Sequence, residues 1–210
     1  VSAESGMMSA DKINVIIVGG GAIGCCTAYY LARAGANVTL LERGSLCSES
    51  SSAAAGLAVL SSREGLLLPL AKESIRLLVE AKAELETDFE LVRRGSLTLL
   101  FTAEEMEKQR IFVKKQQEQG IEIELLDTQS ALELEPRISK KIVGAVYSPI
   151  DSTTNPYATT LAFGRAARRL GANIRTGVEV TGLKAEGGRI RIAVTCDGEV
   201  SADFLVVAAG

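Results

Sequence analysis

Hydrophobic and polar positions change period several times along the chain, and each change marks an element. Residues 13–18, INVIIV, form an apolar run rich in β-branched side chains that stops at three consecutive glycines. That is the pattern of a strand buried in a parallel sheet. Residues 22–34 predict a helix with Gly35 as its stop, and NVTLL at 37–41 a second strand, so a βαβ unit closes within about thirty residues. A small-residue loop, SLCSESSSAAAGLAV at 45–59, follows.

Beyond Pro69, a stripe of Ala71, Ile75, Leu78, Lys82, Leu85 and Phe89 predicts a helix, with Lys82 snorkelling from the edge of its apolar face. GSLTLLF at 95–101 predicts a strand, and Thr102 with Glu105 a capping box for a polar helix running to Gly120. IEIELL at 121–126 alternates as a half-buried strand, and VGAVYSP at 143–149 is another. Asp151 to Pro156 predict a turn, with Pro156 preset for a helix start, and the helix then runs to Gly171. ANIRTGVEVTGL and RIRIAVTC read as strands joined through Gly187-Gly188, with a second tight turn at Asp197-Gly198. The final run, DFLVVAAG, reads as a fully apolar strand stopping at Gly210.

The βαβ rhythm of the two flanks fails between them, so the fold class is α/β with an insertion. The expected domains are a nucleotide-binding domain in two segments, 13–63 and 151–210, around part of a second domain at 64–150, with residues 1–12 as a flexible tail. An opening Val1, Met7 or Met8 as candidate starts, and a close on an apolar strand lead to the expectation of an N-terminal part of a longer protein.

Composition narrows the chemistry. Hydrophobic residues make up 47% and charged residues 23%, as in a globular chain. The net charge is −3 and the basic doublets are scattered, which argues against a nucleic-acid partner. The sequence has no histidine, which removes imidazole metal ligands, the commonest general base and every Ser-His or Cys-His pairing. No metal site is expected, and chemistry must come from carboxylates, hydroxyls, thiols or a cofactor. The four cysteines, Cys25, Cys26, Cys47 and Cys196, have neither CxxC spacing nor the density of a disulfide scaffold. Cys47 reads as the more exposed thiol, and Cys25 and Cys26 as small packing residues rather than a redox pair. No run approaches the ~18 apolar residues of a membrane span, so a cytoplasmic protein is expected.

Gly19, Gly21 and Gly24 satisfy GxGxxG between a strand and a helix. The pattern serves a tight turn, close backbone approach to a pyrophosphate, and close helix-to-strand packing. The helix that opens there turns unsatisfied N–H groups toward the phosphate. Glu42, eighteen residues after Gly24, ends the next strand, where a carboxylate accepts ribose hydroxyls and disfavours a 2′-phosphate. FAD or NAD is therefore expected over NADP, the bland alternative being a tight turn and a solvated strand end.

Gly19-x-Gly21-x-x-Gly24-x-x-x-Ala28-x-x-Leu31-x-x-x-Gly35-x-x-Val38-x-x-x-Glu42 resembles the extended fingerprint of FAD-dependent oxidoreductases. SSSAAAGL at 50–57 resembles the flavin-contacting loop of the glycine oxidase and D-amino-acid oxidase family, and Asp151 and Pro156 before the helix, GANIRTGVEV after it and FLVVAAG at the end fall where that family places them. The resemblance implies a Rossmann-like, GR2-type FAD domain with a parallel sheet, interrupted by part of an α+β substrate domain. It also implies site residues. Gly19, Gly21, Ala22, Ile23 and Gly24 would hold the pyrophosphate, and Glu42 and Arg43 the adenosine ribose. Ser50 and Ser51 would meet phosphate or ribityl oxygens, and Ala54, Ala55, Gly56 and Leu57 the flavin ring. Val180 would pair its backbone with adenine, and Ala208, Ala209 and Gly210 would form the small-residue strand end beside FAD.

The activity so implied is oxidation of an amino acid or secondary amine, with electrons passed to oxygen or to another acceptor such as a quinone. Homo- or hetero-oligomers are compatible with it. Substrate-carboxylate ligands in this family come from a later part of the chain, so no catalytic residue is assigned and these 210 residues are not expected to turn over substrate alone. Two other readings stay open: a flavin dehydrogenase of a hydroxy acid or glycerol phosphate, and a non-catalytic nucleotide-binding subunit.

Overall fold

The computed structural model describes residues 12–210, so the expected tail, apart from Lys12, lies outside the described residues. In chain order the elements are β1 (Asn14–Val18), α1 (Ala22–Arg33), β2 (Asn37–Glu42), β3 (Leu57–Ala58), α2 (Leu67–Glu84), β4 (Val92–Arg93) and β5 (Ser96–Leu100). They continue with α3 (Ala103–Glu118), β6 (Glu124–Asp127), α4 (Thr128–Leu134), β7 (Gly144–Ser148), β8 (Ser152–Thr153) and α5 (Pro156–Arg169). The chain closes with β9 (Asn173–Thr176), β10 (Val180–Glu186), β11 (Arg189–Thr195), β12 (Gly198–Ser201) and β13 (Phe204–Val207).

Two compact units result. The first gathers the described residues through Ala54 with Leu85–Thr87 and Pro156–Gly210; the second is Ala55–Glu84 with Asp88–Asn155.

The first unit is layered. Its parallel sheet has the order β13-β1-β2-β9. The side chains of β1 alternate between the two layers that cover this sheet, as the pleat requires. Ile17 faces α1, since its Cγ2 lies 3.6 Å from where a Cβ on Gly24 would stand. Ile16 and Leu41 pack instead with Val178 and Ala193, beneath the antiparallel sheet β10-β11-β12. Helices α1 and α5 meet on the other side, where Tyr29 and Phe163 stack edge-on with centroids 5.4 Å apart. Gly164 permits the close approach: a Cβ there would stand 3.0 Å from Leu46 Cδ1 and 3.5 Å from Cys25 Sγ. Ile16, Ile17, Leu40 and Leu41 are at most 1% exposed, and each such side chain contributes roughly 1.5–3 kcal/mol by leaving water.

Three local expectations change. The run 172–183 is not one strand: it breaks at Gly177 (φ +72°), with β9 joining the parallel sheet and β10 the antiparallel one. The strand in DFLVVAAG covers only Phe204–Val207; it pairs with β1 in parallel at the edge of the sheet formed by the described residues, with Phe204 and Val207 more than half exposed. Helix α2 begins before Pro69, which sits in its first turn where a missing N–H costs nothing. It ends at Glu84, so Leu85 and Phe89, both fully buried, lie beyond it, and Glu86 has φ +52°.

The second unit holds two small antiparallel sheets, β3-β8-β4 and β5-β7-β6. The capping box of α3 is formed as expected: Thr102 Oγ1 accepts from the Glu105 amide at 3.1 Å and Glu105 Oε2 accepts from the Thr102 amide at 3.0 Å. Helix α4 was not foreseen; Asp127 caps it, accepting from the Ser130 amide at 2.8 Å. Ile121 and Ile123 are buried, yet the strand starts only at Glu124.

Candidate functional site: a glycine cradle at the end of the parallel sheet

Beyond β1 the chain turns at Gly19 (φ +108°), whose amide donates to the Leu41 carbonyl at 2.8 Å. A Cβ on Gly19 would lie 2.3 Å from the Ala208 carbonyl oxygen, so only glycine lets the turn abut the end of β13. Gly24 stands in the first turn of α1, where a Cβ would come within 1.9 Å of the Gly19 carbonyl oxygen. Gly21 is the N-cap of α1, and a Cβ there would meet Ser51 Oγ at 2.9 Å. The three glycines thus remove side chains from places where backbone or loop already passes, and α1 can start directly behind the sheet.

That start leaves first-turn amides without helical partners. One is already taken: the Ala22 amide donates to Ser51 Oγ at 3.0 Å, so the 45–52 loop supplies the cap that Gly21 lacks. The same loop is anchored by the Cys47 amide donating to the Gly20 carbonyl at 3.0 Å. Ser51 Oγ keeps a proton to donate and can still reach an anion.

Glu42 ends β2 with its carboxylate turned into the same turn. Oε2 accepts from the Gly20 amide and Oε1 from the Gly44 amide, both at 2.7 Å. Each oxygen retains a further lone pair, so ribose hydroxyls can add to these bonds. Arg43 pairs with Glu49 at 2.6 Å across the exposed rim. The Glu49 hydrogen bond raises the guanidinium pKa above its ordinary value and ties up its charge.

These pieces enclose a cavity of about 600 Å³. Of the residues singled out in the sequence, it brings together Gly19, Gly21, Ala22, Ile23, Glu42, Arg43, Ser50, Ser51, Ala208, Ala209 and Gly210. Gly24 packs behind the wall. Val180 lines a smaller neighbouring cavity of about 130 Å³, whose wall shares Gly19, Glu42, Arg43 and Ala209 with the first. Ala54 is not among the lining residues, and Ala55, Gly56 and Leu57 belong to the second unit, where Gly56 and β3 are tied to 152–154.

Sequence reasoning missed Gly20, Cys47, Ser48, Glu49 and Val207, which also line the larger cavity. The apolar pair Leu46-Cys47 inside a serine-rich loop was an available signal for the loop's inward turn. A cavity floored by glycine backbone, opening on a helix N-terminus, walled by serine hydroxyls and ended by a carboxylate fits a nucleotide diphosphate: amides and hydroxyls for phosphate oxygens, the carboxylate for a ribose.

The thiols are corrected in part. Cys47 is buried, at 2% exposure, and the exposed cysteine is Cys196. Burial pushes the Cys25 thiol up to about 12, with the neighbouring Cys26 and Cys47 sulfurs adding to the effect, and burial alone does the same for Cys26. At neutral pH both stay protonated, which fits packing rather than redox work. A thiol alkylating reagent at neutral pH is therefore expected to label Cys196 first; prior labelling of the buried Cys25 or of the half-buried Cys26 would contradict this order. The folded state holds these protons longer than the unfolded one, so their contribution to stability is present below pH 9 and is lost as the pH rises from about 9 to about 12. Chemical denaturation of Cys25→Ala beside the wild type should show a shallower alkaline loss.

Fold and cavity together define an α/β dinucleotide-binding protein. The sequence model of the family described as "FAD dependent oxidoreductase" (DAO) matches residues 14–210. The chain belongs to that family, whose cofactor is FAD. The glycine oxidase of Geobacillus kaustophilus is 30% identical over 207 residues, which cover 95% of this chain and 55% of that protein. Its crystal structure superimposes with a TM-score of 0.89 over 96% of this chain and 56% of that one. The mitochondrial dimethylglycine dehydrogenase of Homo sapiens is 29% identical over 202 residues, 95% of this chain and 23% of that protein. The chain thus spans about half the length of this glycine oxidase, and less of the dehydrogenase. Among the described residues, no helix is long and apolar enough to cross a membrane.

Proposed function

We propose that this chain carries the adenylate-binding part of a flavoenzyme that oxidises an amino acid or a secondary amine. The single observation that carries the reading is the cradle itself, in which Gly19, Gly20 and Gly21, a helix N-terminus, Ser51 and the Glu42 carboxylate converge on one cavity. FAD, when bound, supplies the hydride acceptor for the amine carbon. Gly19 to Gly24 and the first-turn amides of α1 hold the pyrophosphate, with Ser50 and Ser51 donating from the facing loop. Glu42 and Arg43 receive the adenosine ribose, and Val180 offers its backbone to adenine. Ala208, Ala209 and Gly210 keep the strand end free of side chains, and the segment from Ala54 to Leu57 accompanies the flavin ring. The second unit, helices and antiparallel strands together, is assigned to the substrate side.

The relatives support this substrate class, since they act, by their names, on glycine and dimethylglycine. A visible spectrum of the purified full-length protein is expected to show bound flavin, bleached under anaerobic conditions by glycine or an N-methylated glycine and not by glycerol 3-phosphate. Protein that lacks flavin absorbance and binds NAD instead would overturn the flavoenzyme reading. Bleaching by glycerol 3-phosphate alone would move the substrate to the hydroxy compounds.

A further inference from the structure

Asp151 read from the sequence as part of a turn, yet its carboxylate is 1% exposed and collects four donors. Oδ1 accepts from the backbone amides of Leu60 at 2.8 Å and Ser61 at 3.2 Å. Oδ2 accepts from the Ser61 hydroxyl and from the Ser96 hydroxyl at 2.6 Å. The neighbouring backbone continues the same attachment: Ala58 pairs with Ser152, Leu57 with Thr153, and the Thr154 amide donates to the Gly56 carbonyl at 2.8 Å. The whole stretch from Gly56 to Ser61 is therefore laid along 151–154, and Asp151 is the side chain that fixes its end. A side chain serving only the core would be apolar here, since a buried carboxylate is costly unless its acceptor sites are filled.

We propose that Asp151 is a positioning residue of the flavin site, which sets the path of the Gly56–Leu60 segment by holding the amides of Leu60 and Ser61. This rests on the reading that places Ala54 to Leu57 beside the flavin ring. Asp151 does not touch the reacting atoms; it acts through the segment. Asparagine keeps most of the arrangement, because its carbonyl oxygen takes the two amides and the Ser61 and Ser96 hydroxyls rotate to accept from its NH2. Alanine leaves both amides without an acceptor.

The test uses the flavin-loaded full chain with Asp151→Ala and Asp151→Asn. Hydrogen exchange is read at the amides of Leu60 and Ser61, and the flavin environment by visible circular dichroism. In Asp151→Ala exchange at these amides is expected to rise at least about tenfold with an altered flavin dichroism, and Asp151→Asn to restore both. Should Asp151→Ala fail to fold, Ser61→Ala with Ser96→Ala strips one carboxylate oxygen of its donors and leaves the backbone bonds, with exchange rising about threefold and the dichroism again altered. Unchanged exchange, or raised exchange with unaltered dichroism, overturns the proposal; the latter leaves Asp151 a structural anchor only. Wild-type protein without flavin overturns the flavoprotein reading instead, and the exchange result then still decides whether Asp151 holds residues 60 and 61.

Discussion

Replacing Gly24 with alanine is expected to lower stability by about 3 kcal/mol, at the upper end of the cost of overpacking, and to cut the flavin content of the purified protein about tenfold or more. The new Cβ would stand 1.9 Å from the Gly19 carbonyl oxygen, which is backbone, so no side chain can swing aside. Helix α1 must retreat from the sheet, taking its first-turn amides away from the cavity. Gly35→Ala is the matching control. Gly35 also has a conformation that disfavours a side chain (φ +90°), but nothing lies within 4 Å of the position of its Cβ. It should cost about 1 kcal/mol and leave flavin content unchanged. Urea unfolding and the flavin-to-protein absorbance ratio measure both effects; a Gly24→Ala protein as stable as Gly35→Ala would show that helix and turn are not in contact as described.

Glu42→Gln is expected to weaken FAD binding about tenfold or more and to cost roughly 2 kcal/mol of stability. Both carboxylate oxygens accept backbone amides, from Gly20 and Gly44. Whichever way the glutamine amide turns, its NH2 faces one of these N–H groups, and a backbone donor cannot reverse its role as a hydroxyl can. The loss falls on the glycine turn, through the Gly20 amide, as well as on the proposed ribose contact. Thermal unfolding of the flavin-free protein isolates the first effect, because no ribose is present. Equal melting of Glu42→Gln and wild type without flavin would mean that Glu42 reads only the nucleotide.

Local patterns made the β1-α1-β2 unit legible. A short apolar run, glycines and a helical stretch follow each other within contact distance in sequence, and Glu42 falls at the strand end by spacing alone. The α3 capping box was legible for the same reason, since both its partners lie within one turn. What escaped depends on partners distant in sequence. The burial of Cys47 follows from its amide bonding the Gly20 carbonyl, twenty-seven residues away, while the composition of its loop suggests solvent. The apolar period of α2 runs on through Leu85 and Phe89, because both are buried; their backbone leaves the helix, which periodicity does not record. Helix α4 is seven residues long, too short for a period to declare itself. Asp151 is ordinary in its local sequence, and its four donors come from residues 55 and about 90 positions away.

The break at Gly177 separates the strand that extends the parallel sheet from the strand that carries Val180. The connector is short and pinned, with the Gly177 amide donating to the Gly44 carbonyl at 3.1 Å and the Val178 amide to the Glu42 carbonyl at 2.9 Å. On the proposed reading, in which Glu42 takes the ribose and Val180 the adenine, it works as a ruler between the sugar end and the base end of the nucleotide. Because side chains alternate along a strand, one residue added after Val178 would offset the next strand by a full pleat, turning its inward residues outward. Variation in length is therefore tolerated at the solvent-facing hairpin tips, such as Gly187-Gly188, and not in these three residues, whose number sets the gauge of the cleft more strictly than their identity does.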